Sequence, residues 1–399
     1  MRTKKTLDII YTEIGRGHPF YLDGTVDALR ENYSANIDLN IDNVFKMSKG
    51  IPFRLWRLVD NLYRRGSQGG IPGIVYKLIR SRKGPANRGL IEAIMARDIR
   101  QSVHKRKETV LTAHPFLAAM LSDLTEVIYQ HAEIAAPAYA MIRDASLVLV
   151  PLEETRDRFT AAGVPGENIH VTGLCIEPRL IDALGVNIVK RQTRIKERDT
   201  LVGAFYSSGA EPKEHLRKII AALTSLDKAG QKGVVFCTAG GTLEKAIMNK
   251  LKARRFVPGK KEERFHEAIA GSNILAVIHN ERKQIDEYTA ELFRYYDYIV
   301  APSHERSNWA VGLGLPMFIL HPLIGPFSPL NRDFLIKEKV AAEILTLQDA
   351  GAFAELLEKL RASGELLKMS ANGYNRYDLN GFARSAELID EFLERTLPE

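Results

Sequence analysis

Leu7–Leu29, LDIIYTEIGRGHPFYLDGTVDAL, is the stretch whose reading decides the fold. Leu7-Asp8-Ile9-Ile10-Tyr11 is a short β-rich apolar run, the signature of a buried strand. Gly15, Arg16, Gly17 and His18 follow, and then Phe20, Leu22, Val26, Ala28 and Leu29 at a spacing that suits an amphipathic helix, weakened by Gly24. Strand, glycine turn and helix open a βαβ unit. In an open parallel sheet that turn lies at the carboxyl edge, where ligands bind. Glycine there lets the backbone pass close to a ligand, and the helix start offers unpaired N–H groups to an anion. His18 stands at the mouth of such a site. The plainer alternative is a βα turn whose histidine only caps the helix.

The chain has 399 residues, which suggests two domains at roughly 100–200 residues each. Its 45% hydrophobic and 26% charged residues are ordinary for a globular protein. No apolar run reaches the ~20 residues needed to span a bilayer, and the basic start, MRTKKTLDIIY, is too short and strand-like for a signal peptide. Cys175 and Cys237 fall in separate halves, so neither a disulfide framework nor a metal cluster is expected. A reducing, cytoplasmic setting follows, peripheral at the inner face of a membrane if the next segment is read as a lipid contact.

That segment is Phe45–Lys83. It holds ten basic residues against Asp60 alone, a surplus larger than the net +7 of the whole chain. Aromatic and aliphatic side chains lie among the charges, with Arg54, Trp56, Arg57, Arg64 and Arg65 as the densest group. Such a mixture suits anionic lipid headgroups. The alternative is a pair of core helices with a solvated basic face. No nucleic-acid-binding motif is present.

Read in order, strands and helices alternate. Glu108–Thr112 is a strand that runs into His114-Pro115. A weaker one, Glu126–Tyr129, runs into His131, and Ala145–Val150 is another. Ile169–Ile176 carries its own glycine. From Ile181 to Thr200 the pattern lapses into a basic, polar run that reads as an interdomain connection. A second series follows: Leu201–Tyr206 with the loop Ser207-Ser208-Gly209, Gly233–Thr238 with Ala239-Gly240-Gly241, Ile274–Ile278, Tyr298–Ala301 and Met317–Leu320. Helices Phe353–Ala362 and Phe382–Leu397 close the chain. The expected architecture is α/β, with two doubly wound Rossmann-like domains facing a central cleft: residues 1–190 carrying the basic insertion 45–83, residues 200–375, and a last helix, 376–399, packing back on the first domain.

These residues resemble the two-domain GT-B glycosyltransferases. Within them the likeness is to the family-28-like group that includes monogalactosyldiacylglycerol synthase, the processive diacylglycerol glucosyltransferases and the peptidoglycan lipid-intermediate N-acetylglucosaminyltransferase. Gly15-Arg-Gly-His18 is similar to the group's early G-x-G-H loop, and Thr112-Ala-His114-Pro115 to its T-x-H-P turn. Phe159–Pro178, FTAAGVPGENIHVTGLCIEP, follows its L-x-x-x-G-V-P…I-x-V-T-G-x-P-I-x-P run almost position by position. Ser207-Ser208-Gly209 lies where the group has a glycine loop facing the donor diphosphate. His279-Asn280 lies where its backbone holds the base. Leu313–Pro322 is similar to its G-L-P-x-I-x-x-P run.

The resemblance also breaks. Where the group writes G-G-x-T-x-x-E-A, with a Glu on the ribose hydroxyls, this chain writes Ser303-His304-Glu305-Arg306-Ser307-Asn308-Trp309-Ala310. Trp309 stands at the Glu position and cannot accept hydroxyl hydrogen bonds. P-G-Q-E-x-x-N becomes Ile324–Asn331, without Gln or Glu, and the T-D-F of the base loop is replaced near Ile128–His131.

The resemblance implies an enzyme, a hexosyltransferase type, that moves a sugar from a UDP-linked nucleotide sugar to a lipid-linked or membrane-proximal acceptor. It needs no cofactor, and no metal. Nucleic acid is not a partner. Donor contacts fall at Gly15, Gly17, Ser207, Ser208, Gly209, Gly240, Asn280, Ser303, His304, Glu305, Ser307, Asn308 and Asn331. For the base that takes the acceptor proton, His18 leads because an imidazole titrates near neutrality, with His114 and His131 behind it. Two other readings stay open: a nucleotide-sugar epimerase or hydrolase on the same fold, and a non-catalytic relative that kept the scaffold and lost the donor site.

Overall fold

The computed structural model describes residues 4–14, 17–66, 89–208, 211–259 and 262–395. They divide into two units, one running to Ile176 and resuming at Tyr377, the other spanning Glu177–Arg376. The division therefore falls ahead of the polar 181–200 segment, not within it.

In the first unit six parallel strands form one sheet: β1 (Lys5–Tyr11), β2 (Ile37–Asn43), β3 (Thr109–Thr112), β4 (Val127–Gln130), β5 (Leu147–Val150) and β6 (Ile169–Val171), ordered β2-β1-β3-β4-β5-β6. Strands buried on both faces read as continuous apolar runs, as LVLV of β5 does. The helices are α1 (Gly17–Tyr33), α2 (Val44–Met47), α3 (Gly50–Gly66), α4 (Leu90–Arg106), α5 (Pro115–Leu121) and α6 (Glu153–Ala161). Alternate side chains of β1 feed opposite cores. Leu7 and Ile9 join Leu22, Val26 and Leu29 of α1, whereas Ile10 joins Met95, Ile99 and Val103 of α4.

The chain's last helix, Gly381–Arg395, completes the first of these cores through Ala386, Leu388, Ile389 and Leu393. This explains Gly24, which looks like a flaw in α1. A Cβ there would collide with the Phe382 ring, so the glycine is what admits the last helix.

The second unit has seven parallel strands: β7 (Val202–Phe205), β8 (Lys232–Thr238), β9 (Arg254–Phe256), β10 (Ile274–His279), β11 (Tyr298–Ala301), β12 (Met317–Leu320) and β13 (Ala341–Ile344), ordered β13-β12-β11-β7-β8-β10-β9. Its helices are α7 (Pro178–Ile181), α8 (Leu184–Glu197), α9 (Lys213–Lys228), α10 (Thr242–Lys250), α11 (Glu262–Gly271), α12 (Arg282–Leu292), α13 (Ser307–Gly312), α14 (Phe327–Lys337), α15 (Leu347–Gly351), α16 (Phe353–Ala362) and α17 (Glu365–Asn372). The segment read as a connection is thus helix α8. Its buried residues are Asn187, Ile188, Arg191 and Ile195, a helical stripe in which an arginine takes an apolar place.

Arg191 is wholly enclosed. Its guanidinium donates to the carbonyls of Tyr296 (2.9 Å), Leu313 (2.7 Å) and Gly314 (3.1 Å) and lies 5.2 Å from the centre of the Phe293 ring. Burial draws its pKa down to about 9. One turn on, Arg194 pairs with Asp297 at 2.6 Å, and Asp297 accepts the Val202 N–H that starts β7. A basic helix is in this way a structural clasp.

Candidate functional site

A doubly wound sheet binds ligands where the strand order reverses, at the carboxyl ends of the two strands flanking that point. In the first unit these are β1 and β3. The turn after β1 leads to Gly17 and His18, and β3 leads to Ala113 and His114. The two imidazoles meet there, both half-buried, with ring centroids 5.0 Å apart in an edge-to-face arrangement. His114 is fixed from both sides. Its N–H donates to Thr112 Oγ1 at 3.2 Å, and Pro115 opens α5 directly after it.

Glu133 completes this group, and no sequence signal pointed to it. It is 8% exposed, and a Cβ on Gly17 would lie 3.2 Å from its Oε1. Its carboxylate therefore sits against the amino end of α1, where the helix dipole favours negative charge. Gly17 earns its place by leaving that space. Gly15 lies outside the described residues.

His131 does not share the role. It is buried, with Nδ1 3.1 Å from Tyr129 Oη and Nε2 3.2 Å from the Ala135 carbonyl. A carbonyl only accepts, so this network assigns the proton to Nε2 and leaves Nδ1 to accept from the tyrosine. Burial pushes its pKa down to about 3, the Ala135 bond opposing. His131 is a neutral core residue, and as a candidate base it gives way to His18 and His114.

His215 of α9 behaves alike in the second unit, its pKa drawn to about 4 by burial while Nε2 faces the Pro322 carbonyl at 2.9 Å. Both imidazoles refuse protons that the unfolded chain accepts near pH 6.5. Stability is therefore full above about pH 7 and falls as the pH drops toward 4 and then 3. Between pH 7 and 5 each histidine should cost its unit about 2 kcal/mol. Thermal melts across this range check it. His131→Phe should flatten the curve of the first unit, and an unchanged slope would refute the assignment.

In the second unit the order reverses between β7 and β11. The Tyr206 N–H donates to Val300 O at 2.9 Å, bringing Ser207 and Ser208 beside the loop Ser303–Arg306. The hydroxyl oxygens of Ser207 and Ser208 are enclosed and have no hydrogen-bond partner among the described residues. Glu305 and Arg306, both buried, pair at 2.8 Å. The guanidinium lies 4.1 Å from the centre of the Tyr206 ring and 5.4 Å from that of Trp309. A desolvated cation between aromatic faces is held in one place. Burial lowers the pKa of the adjacent His304.

Trp309 is part of this packing, edge-on to Tyr206 and Phe293. Its Nε1 donates to Glu177 Oε2 at 3.1 Å. Burial, helped by the charge of Asp286, raises the Glu177 carboxyl to about 7. An acidic group thus reaches this loop from the segment after β6.

The remaining donor candidates divide. Ser303 Oγ lies 2.9 Å from Ser328 O and 2.8 Å from Ser328 Oγ, and Asn331 Nδ2 donates to Ser303 O. Ser307 and Asn308 are 1% and 2% exposed, and the Ser307 hydroxyl, like those of Ser207 and Ser208, is enclosed with no hydrogen-bond partner among the described residues. The glycine turn after β8 is filled by the chain's own carboxylates. The Gly240 N–H donates to Glu244 Oε2 at 2.6 Å, and the Thr242 N–H to Glu211 Oε2 at 3.2 Å. The Asn280 N–H is taken by Gln284 Oε1 at 2.8 Å. Gly209 lies outside the described residues. Among those described, no group of three His, Cys, Asp or Glu residues is placed to hold a metal ion.

The basic segment also divides. Trp56 is 1% exposed, packs edge-on to Phe116 and donates from Nε1 to Met95 O at 3.2 Å. It is core and does not face outward, because it falls on the inner stripe of α3. Arg54 and Arg57 are exposed, beside Ile51 and Leu58, which are 61% and 53% exposed. The side chains of Arg64 and Arg65, and all of 67–83, lie outside what is described. Among the described residues no helix is long and apolar enough to cross a membrane.

No protein-family model and no curated protein matches the sequence. Solved structures do. MurG of Acinetobacter baumannii is similar with a TM-score of 0.57 at 12% identity, over 98% of this chain and 100% of its own. S. aureus MnaA, solved with UDP, gives 0.56 at 13%, over 98% and 97%. The UDP-GlcNAc 2-epimerase of Neisseria meningitidis, bound to UDP-GlcNAc, gives 0.55 at 14%, over 98% and 100%. At such identities the likeness speaks to fold alone, and together with two doubly wound parallel sheets it shows that this chain has the GT-B fold.

Proposed function

We propose that the chain is a glycosyltransferase that moves a sugar from a UDP-linked nucleotide sugar to a lipid-linked or membrane-proximal acceptor. The observation that carries this reading is the second unit's switch point, where two enclosed hydroxyls stand with the buried Glu305–Arg306 pair. Hydroxyl donors and a fixed guanidinium suit a diphosphate, and charge growing on a leaving nucleotide would be met there. Structures of the same fold hold UDP or UDP-GlcNAc. In the first unit His18 supplies the base, with His114 and Glu133 orienting it.

Thermal shift with UDP tests the donor half. At 100 times its dissociation constant UDP should add about 2.7 kcal/mol of stability. No shift with any nucleoside diphosphate would favour the non-catalytic alternative. A second reading, an epimerase or hydrolase, gains from Glu133, since a carboxylate against Gly17, the neighbour of His18, adds a second acid–base group to the turn that carries the imidazole pair. Incubation with UDP-GlcNAc and no acceptor separates the two: a changed sugar or released UDP would select the second reading.

The acceptor half rests on α3. Arg57 stacks 5.4 Å from the centre of the Phe53 ring, its charge outward, next to exposed Arg54, Ile51 and Leu58. Each Lys or Arg near an anionic surface contributes about 1 kcal/mol, fading within a Debye length. Co-sedimentation with anionic vesicles should therefore be strong at low salt, weak at high salt and weak with neutral vesicles. Replacing Arg54, Arg57, Arg64 and Arg65 by Ser should abolish it without altering UDP binding. Wild-type protein left in the supernatant at low salt would remove the lipid acceptor from the proposal.

A further inference from the structure

A second polar concavity lies in the first unit, away from the histidine pair. Met47, Lys49 and Gly50, at the turn from α2 to α3, and Arg97, Asp98, Gln101, Ser102 and Lys105, on α4, line a hollow of about 480 Å³. That volume is within the range of small-molecule sites. Its charge is one-sided, with three cations to one acid. The acid is also spent: Asp98 Oδ2 accepts the Lys49 N–H at 2.7 Å and Oδ1 accepts Arg97 Nε at 3.0 Å. Neither the Lys49 nor the Lys105 ammonium has an ion-pair partner among the described residues.

The neighbouring carboxylates do not offset them either. Asp8 and Asp42 are both bound by Arg106, whose Nη2 also donates to Ser102 Oγ at 3.0 Å. The Ser102 hydroxyl, having accepted, can donate into the hollow. An incoming anion thus meets ammonium, guanidinium, hydroxyl and amide donors, and among the described residues lining the hollow no unengaged carboxylate. Like charges gathered on one wall repel one another, a cost that a bound anion removes.

We propose that this hollow binds a phosphorylated group, a phosphate mono- or diester, with Lys49 and Lys105 as its principal contacts, Arg97 and Ser102 assisting, and Met47 against its carbon skeleton. The phosphate can belong to a soluble ester or to a lipid headgroup, since the donor set reads only the phosphate and what adjoins it. The site is separate from the nucleotide reading of the second unit and does not depend on it.

The test uses the full chain and the variant Lys49→Gln/Lys105→Gln, both side chains being exposed, with a thermal melt to confirm that the variant folds. Isothermal titration with glycerol 3-phosphate is one arm. Co-sedimentation with phosphatidylcholine vesicles, with and without one-fifth phosphatidate, is the other, with Arg54→Ser/Arg57→Ser as the comparison. A loss of at least tenfold in glycerol 3-phosphate affinity in the lysine variant, but not in the arginine variant, supports the site with a soluble ester. No titration signal, together with phosphatidate-dependent sedimentation lost in the lysine variant, supports it with a lipid. Equal behaviour of the lysine variant and the wild type in both arms overturns the proposal, as does a wild type that responds in neither.

Discussion

Turnover of a nucleotide sugar should fall by about 10²–10⁴-fold when His18 is replaced by alanine, the range expected for loss of a positioned acid–base group. The variant should still fold, because the His18 ring is half-buried and belongs to none of the first unit's apolar cores. UDP affinity should stay within about twofold, since the groups assigned to the diphosphate stand on the second unit. His114→Ala is the companion measurement. If both histidines serve one proton, the double variant should lose little more than the worse single one, because residues acting as a unit are not additive. A loss below tenfold for His18→Ala would leave the imidazole a helix-capping role and bring Glu133 forward. The pH dependence of kcat separates them further, since an imidazole and a carboxylate have different ordinary pKa values.

Arg191→Met should cost the second unit about 3–5 kcal/mol, as when one partner of a buried charged network is removed. Three carbonyls lose a donor: Tyr296 keeps Arg194 Nη2 at 3.3 Å and Gly314 keeps Ser370 Oγ at 2.7 Å, whereas Leu313, just past the end of α13 where orphan carbonyls collect, is left without one. At 2–4 °C per kcal/mol for a unit of this size, the melting temperature should drop by about 6–20 °C. Arg191→Lys should fall between, because an ammonium keeps the charge but lacks the planar fork that reaches carbonyls on two segments. A cost below about 1 kcal/mol for the methionine variant would show that water or a neighbouring side chain takes over those carbonyls.

The strands at the two switch points were legible because β1, β3, β7 and β11 are short apolar runs followed within a few residues by glycine, histidine or serine, whereas β9 (RRF) and β13 (AAEI) carry no such apolar run and were not read. Thr112-Ala-His114 and Gly17-His18 lie far apart in sequence and meet only because β1 and β3 are neighbours. Helix α8 was not legible. Arg191 occupies an apolar place in its stripe, so the period looks broken although the geometry is regular. Trp56 misled in the opposite sense, since an aromatic among arginines suits either a membrane face or an inner stripe, and only the position of α4 decides. Glu133 had no local signal, because its significance comes from a glycine that leaves room for it on a distant helix.

The return of the last helix to α1 sets an order on synthesis. Residues 177–376 form one uninterrupted unit, whereas the first unit lacks part of its apolar core until Ala386, Leu388, Ile389 and Leu393 have been made. A nascent chain emerging from the ribosome therefore carries an unfinished first unit while the second is already complete, the reverse of the usual N-terminal-first order. Until then the groove that Gly24 leaves for Phe382 is exposed apolar surface, the kind that chaperones recognise. A stop codon ahead of Ala386 would be felt in the unit that carries the histidine pair, although every residue of that pair had already been made.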